Sequence, residues 1–315
     1  MRLLRWLRRK WKRIAVAIAF LFIVANVLAA RHARAFLVYS DVEDAMPQPE
    51  QLTRPQKLGL IVNGVSIPRP KNAATPPGFT THRIELSAEW IEVWRGPAAG
   101  SPRGTVLMFP GYSAAKSTLL PEAAGFQAMG FDVVLVDFRG AGGSSGSDNT
   151  MGFREAEDVA TAVGFVEARW PSRRSVLFGR SMGAAAVLRA VSNDCAKADA
   201  VILECPFDRM LTTVGNRFHA MGLPAFPGAE MLVFWVGRRL GFDGFAHNPV
   251  EYAERVRVPA LMLTGEADIR ATPDQVRAVF DHLPGPKHMH VFRELGHEPY
   301  RPRNARVTPP NGIGK

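Results

Sequence analysis

From residue 81 onward, short apolar runs alternate with amphipathic ones along the chain. Thr81–Leu86, Trp90–Trp94, Thr105–Phe109, Phe131–Phe138, Ser175–Phe178, Ala200–Glu204, Ala260–Thr264 and Lys287–Phe292 read as strands. Runs such as TVLMF and VVLV are unbroken, the pattern of parallel strands covered on both faces. Between them, Ser117–Met129, Phe153–Trp170, Met182–Val191 and Thr272–Leu283 carry helical periodicity, the last with Thr272 as N-cap and Pro273 at the first helical position. This repetition predicts an α/β fold, a doubly wound and mostly parallel sheet with helices on both faces. Ligands of such sheets sit beyond the carboxyl ends of the strands, so the informative residues are those that follow each run.

The first eighty residues follow another rule. Residues 1–13 form a basic segment with seven Lys/Arg, and residues 14–30 (IAVAIAFLFIVANVLAA) contain Asn26 as their one polar side chain. Seventeen helical residues span about 25 Å, near the lower limit for a bilayer core, and Trp6 and Trp11 are placed as interfacial anchors. The segment reads as a transmembrane anchor. A cleavable signal peptide is the competing reading, because Val27-Leu28-Ala29 offers small residues near a cleavage position, and cleavage would make the protein secreted. The excess of positive charge before the run places the N-terminus in the cytoplasm and the body outside, on the periplasmic face in a bacterium. Residues 31–80 follow as a tether, with seven prolines in 35–80 that disfavour helix and central strand.

The net charge of +10 invites a nucleic-acid reading, but thirteen of the 39 basic residues lie in 1–34 and in the basic, proline-rich tail 301–315. That leaves 26 basic against 29 acidic residues in 35–300, so the body is slightly acidic and nucleic acid is not an expected partner. The two cysteines, Cys195 and Cys205, are too few for a disulfide framework or a thiolate cluster, and both are expected to be unpaired and buried.

Gly179-Arg180-Ser181-Met182-Gly183 follows the strand SVLF and opens an alanine-rich helix. In a G-x-S-x-G elbow the serine occupies a sharp turn with no room for flanking side chains, which lifts its hydroxyl above the sheet. A second match, Gly142-Gly143-Ser144-Ser145-Gly146, is followed by turn formers rather than a helix and reads as a structural loop. Gly140-Ala141-Gly142 also approaches a dinucleotide fingerprint, but position 145, where the third glycine belongs, is serine. No cofactor and no metal are expected.

A serine hydroxyl needs a base, and the base an oriented carboxylate. His297, in the loop ELGHEP after the last strand, is the candidate base, with His219 in the long insertion as its rival. Asp268 follows ALMLTG as the candidate acid, with Glu266 and Asp208 as alternatives. The N–H groups of Met182, after the nucleophile, and of Tyr112, in the loop after TVLMF, are the candidate oxyanion donors.

Taken together, FPGYSAAKS, VDFRGAGGSSG, FGRSMGAA, ECPFD, VRVPALMLTGEAD and LGHE resemble the serine α/β-hydrolase superfamily, in particular its lysophospholipase-like and serine-aminopeptidase-like branch with membrane-anchored bacterial members. The resemblance covers about residues 80–300 and implies Ser181 as nucleophile, Asp268 as acid, His297 as base, and acyl transfer to water without a cofactor. The order Ser, Asp, His agrees with it. Two departures stand out: Pro110 replaces a histidine common in relatives, and the tail after His297 does not suit the amphipathic helix that closes the fold there, so the loop holding His297 is expected to lose a support.

Residues 206–258 form an expected cap within the domain 81–300. Its apolar side chains, among them Met221, Phe226, Phe234 and Trp235, are the candidate substrate contacts and suit an acyl chain or another apolar ester. A small-molecule or lipid ester is therefore the expected substrate, with a peptidase or a catalytically silent scaffold as alternatives.

Overall fold

The computed structural model describes residues 2–41, 52–171 and 174–300 of the 315. Strands β1 (Thr80–Glu85), β2 (Trp90–Gly96), β3 (Thr105–Phe109), β4 (Asp132–Val136), β5 (Ser175–Arg180), β6 (Ala200–Glu204), β7 (Ala260–Gly265) and β8 (Lys287–Phe292) form one sheet in the order β1-β2-β4-β3-β5-β6-β7-β8. The pairs β1/β2 and β2/β4 are antiparallel, and every pair from β4 to β8 is parallel. The chain passes from β3 outward to β4 and then back across β3 to β5. This reversal opens a crevice above β3, flanked by the loops that follow β3 and β5.

The core follows from the period-two pattern of the central strands. Leu107, Phe109, Val134 and Val136 face a larger core with α4 (Glu155–Arg169), α5 (Met182–Ser192), α8 (Pro249–Ala253) and α9 (Pro273–His282). Val106, Met108, Val133 and Leu135 face Leu119 and Ala123 at the start of α3 (Leu120–Ala128). Ala184, Ala185 and Ala186 in α5 are fully buried, and their small side chains let this helix lie close on the sheet. Thr272 caps α9 by accepting from Gln275 N–H, with Pro273 at the first helical position.

The N-terminal region departs from a simple anchor and tether. Helix α1 (Arg2–Leu37) continues seven residues past the apolar run, and its span Lys10–Leu37 is long and apolar enough to cross a membrane by length and composition. Its last turns are docked, with Ala33 and Leu37 buried against Met210, Leu232 and Val236 of the insertion. Within the segment expected to be a tether, Arg54–Asn63 form helix α2. Pro55 is tolerated there because it stands in the first turn, where no N–H partner exists, and the Gln56 side chain accepts from Thr53 N–H. Tyr39 and Ile67 are buried further along. Cys195 is exposed, contrary to the expectation of two buried thiols, because it stands in the surface turn between α5 and β6; Cys205, on the turn after β6, is buried. The tail 301–315 lies outside the described residues.

The insertion between β6 and β7 carries α6 (Met210–Ala220), α7 (Gly228–Leu240) and α8. His247, fully buried, joins it to the body: its Nε2 lies 2.9 Å from the Met151 carbonyl and its Nδ1 3.0 Å from the Tyr252 hydroxyl. A carbonyl can only accept, so Nε2 carries the proton of a neutral ring. Phe153, Phe207 and Phe242 meet that ring edge to face. Burial among these rings pulls the imidazole down to about 4 from its ordinary value of 6.5. The unfolded chain therefore binds the proton first as pH falls. Stability from this group is complete above pH 6.5 and is lost between 6.5 and 4, a total of about 3 kcal/mol. Urea unfolding at pH 7 and at pH 4.5 checks this: wild type should lose stability over that interval, and His247→Phe should lose markedly less of its own.

Candidate active site

The turn between β5 and α5 holds Ser181 at φ 50° and ψ −112°, a left-handed conformation that non-glycine residues rarely adopt. The neighbouring glycines make that turn possible. A Cβ at Gly179 would stand 2.6 Å from Ala184 backbone atoms, and one at Gly183 would stand 2.3 Å from the Phe109 carbonyl. Ser181 N–H donates to the Glu204 carbonyl (2.7 Å), and the Ser181 carbonyl accepts from Ala185 (3.1 Å). Arg180 bonds Glu204 (2.6 Å) and Glu122 (2.8 Å), tying the turn to β6 and α3. Burial pushes the Glu204 carboxyl up even with Arg180 beside it, and the two carboxylates raise the Arg180 guanidinium despite its burial. The turn is held from both sides by buried charge.

His297 reaches over this turn from the loop after β8. Its Nε2 is 3.1 Å from Ser181 Oγ, and its Nδ1 is 2.7 Å from Asp268 Oδ2. Asp268 Oδ1 accepts the N–H groups of Arg270 (2.8 Å) and Ala271 (3.0 Å), so the buried carboxylate is satisfied on both oxygens. An ionised carboxylate can only accept, so Nδ1 carries the imidazole proton and Nε2 is left to accept from the serine hydroxyl.

Of the two candidate oxyanion donors, Met182 opens α5, where its N–H lacks a partner within the helix. Tyr112 lies in the loop after β3, and a Cβ on the adjacent Gly111 would stand 3.6 Å from Ser181 Cβ. The loop is pinned from below. Lys116, wholly buried, donates through its backbone to Asp137 (2.7 Å) and through its ammonium to Glu92 (2.7 Å) and Asp137. The Tyr112 side chain turns away from Ser181 and donates its hydroxyl to the Phe36 carbonyl of α1 (2.8 Å).

The rival residues lie elsewhere. Ser144 is buried, donating to the Asp137 carbonyl (2.7 Å) and accepting from Glu92 N–H (2.9 Å), so its hydroxyl is committed to the loop. Asp208 Oδ1 accepts from Arg209 N–H and the Thr212 hydroxyl at the start of α6; Glu266 is exposed, and His219 stands in the last turn of α6. Cys205, Asp268 and His297 could each offer one donor atom to a metal within 4.8 Å of one another. Asp268 and His297 spend those atoms on each other, and burial pushes the Cys205 thiol well up, away from the thiolate a metal needs.

A largely apolar cavity of about 410 Å³ lies between α1, α2 and the insertion. Met221 lines it; Phe226, Phe234 and Trp235 do not. Phe226, before α7, and Phe234 are 74% and 52% exposed, and Trp235 donates to Asn26 of α1 (3.3 Å), since α7 packs along α1.

One positioning residue escaped the sequence reading. Tyr300, three residues past His297, is buried, stacks on Phe292 (ring centroids 4.8 Å apart) and accepts Gly265 N–H (2.7 Å). Burial among neighbouring acidic groups raises its hydroxyl pKa. It ties the His297 loop to the end of β7, three residues before Asp268. A lone tyrosine in a proline-rich tail carries no sequence signal for this role.

Residues 100–236 match the model of a family described as serine aminopeptidase, S33. The uncharacterized protein YqkD of Bacillus subtilis is 25% identical over 175 residues, 55% of this chain and 57% of that one, so the match spans little more than half of the relative's length. Among solved structures, an esterase of Pyrococcus furiosus superposes with a TM-score of 0.60 at 19% identity, covering 73% of this chain and 89% of that one. Acetyl xylan esterase 1 of a Thermoanaerobacterium species gives 0.52 at 20% identity, covering 73% and 82%. The fold is that of the α/β hydrolases, and the family match agrees with it.

Removing the Tyr300 hydroxyl leaves the buried Gly265 N–H without a partner, at a cost of about 1–3 kcal/mol. Tyr300→Phe should therefore unfold at lower denaturant concentration and turn over more slowly, because the loops carrying His297 and Asp268 lose their shared tie. Denaturant titration and steady-state kinetics on the same preparation check both effects.

Proposed function

We propose that this α/β hydrolase is a serine esterase held at the membrane by α1, with Ser181 as nucleophile, His297 as general base and acid, and Asp268 as the carboxylate that orients His297. The observation that carries the reading is the continuous hydrogen-bonded path from Ser181 Oγ through His297 to Asp268.

In this reading His297 Nε2 takes the hydroxyl proton as Ser181 Oγ attacks the ester carbonyl. The carbonyl oxygen becomes an oxyanion facing the N–H groups of Tyr112 and Met182, each of which contributes a factor of roughly 100–1000 at such sites. Collapse breaks the bond to the alcohol oxygen, which leaves with the proton held on Nε2, and Ser181 remains acylated. Water then attacks with Nε2 again as base. The second collapse releases the carboxylic acid and returns the proton to Oγ. Asp268 stays ionised throughout and favours the imidazolium formed at each step.

The positive N-terminal segment and the apolar run favour α1 as an uncleaved single-pass anchor, with the catalytic domain on the extracytoplasmic face. A second reading, an aminopeptidase, draws on the description of the matching family. Recognition of a substrate's amino terminus calls for a carboxylate, and none lines the cavity among the described residues. This favours the ester.

Hydrolysis of p-nitrophenyl butyrate and of aminoacyl p-nitroanilides by the full chain in detergent separates the two. The ester should turn over faster. Ser181→Ala should lose at least about 10⁴-fold in kcat and Asp268→Asn about 10⁴-fold, while Ser144→Ala keeps the chemistry at some cost in stability. Turnover surviving Ser181→Ala, or a preference for the anilides, contradicts the proposal.

A further inference from the structure

The cavity beside the catalytic crevice is walled on one side by the anchor helix itself. Ala25, Leu28, Ala29 and Phe36 of α1 face Met221 and Met231 of the insertion across it. Its volume, about 410 Å³, falls in the range of small-molecule sites, about 300–1,000 Å³. Of the polar groups on its wall, His32 and Tyr112 are satisfied by the Ile61 carbonyl (2.8 Å) and the Phe36 carbonyl (2.8 Å), Arg217 lies 5.9 Å from the Tyr112 ring centroid, and Thr213 completes the set. The rest of the lining is apolar and suits an unbranched apolar group.

Ser181 does not line the cavity, but two of the lining residues adjoin its turn. Tyr112 follows Gly111, where an added Cβ would stand 3.6 Å from Ser181 Cβ. Met151 precedes Gly152, where an added Cβ would stand 2.9 Å from the Met182 carbonyl. Two lining residues are thus chain neighbours of glycines packed against Ser181 and Met182.

The cavity's other end lies at Ala25, where the exposed stretch of α1 stops. The α1 side chains at 11–24 are exposed all round, whereas those from Ala25 onward are mostly part-buried against the protein. The exposed apolar stretch 14–24 spans about 16 Å, half of the roughly 30 Å hydrocarbon core, and only with the docked turns through residue 30 does α1 approach a spanning length. A spanning α1 thus draws residues 25–30, and the cavity wall they form, down to the level of the acyl chains. Phe226 and Phe234, exposed on the insertion, suit that boundary.

We infer that the cavity between α1 and the insertion binds one fatty acyl chain of a membrane lipid ester and delivers its carbonyl to Ser181, so that the anchor helix is also a wall of the substrate site. This deepens the esterase reading and rests on it for the final transfer.

The test uses the full chain in phosphatidylcholine nanodiscs. In the Ser181→Ala background, hexadecanoic acid carrying a diazirine near its methyl end is photolysed, and the adducts are mapped by mass spectrometry. Adducts on Met221 and Met231, reduced at least five-fold by the cavity-filling Ala29→Trp, are expected. With Ser181 restored, Ala29→Trp should lower the ratio of kcat/KM for p-nitrophenyl hexadecanoate over p-nitrophenyl acetate at least ten-fold. Val27→Trp, on the exposed side of α1, should leave the ratio as in wild type. Met221→Trp fills the cavity from the opposite wall and keeps the test independent of how α1 docks. Adducts confined to the exposed residues 14–24, or a ratio unmoved by both filling variants, overturns the inference. Cavity adducts without turnover of either ester would remove the esterase reading and leave the acyl-chain site.

Discussion

The site depends on one tight turn, in which a serine is held at positive φ between a strand and a helix that lie almost in contact. Gly179 and Gly183 have no room for a Cβ because Ala184 and the Phe109 carbonyl occupy that space. The same closeness sets Ser181 beside the loop after β3 and leaves the Met182 N–H at the open end of a helix. The candidate nucleophile and the candidate oxyanion donors are thus products of a single packing constraint. The Arg180, Glu204 and Glu122 cluster beneath it resists relaxation of the turn, since separating any of these buried charges would strand the others.

The proposed base and acid, His297 and Asp268, lie far along the chain from Ser181 and meet the turn through two loops tied to each other. Asp268 is fixed by two backbone donors, and Tyr300 clasps the ends of β7 and β8 together. That aromatic clasp supports the loop that carries His297. Helix α1 is bound into the same assembly, through Tyr112 to the loop after β3 and through Trp235 to the insertion. Helix α1 and the α/β body are one packed unit.

The strands and the elbow were legible because parallel strands write unbroken apolar runs and the elbow demands glycines at fixed positions. The separation of Ser181 from Ser144 was legible for the same reason: helix-forming residues follow one and turn formers the other. Other features depend on tertiary contacts that no local pattern encodes. The proline count of 35–80 pointed to a tether, yet Pro55 in a first turn is compatible with α2. The apolar residues of the insertion looked alike in sequence, and only packing separates Met221, on the cavity, from Phe226 and Phe234, on the surface. Tyr300 gave no signal, because its role comes from a contact with a backbone N–H 35 residues earlier.

The central claim is that Ser181 is an activated nucleophile because His297 and Asp268 stand behind it. Incubating the full chain with a fluorophosphonate and mapping the adduct by peptide mass spectrometry tests this most directly. The account predicts a single phosphonylated residue, Ser181, with labelling slowed at least a thousand-fold in His297→Gln. A folded chain that takes up no label, or one labelled on another serine at an undiminished rate in His297→Gln, contradicts it.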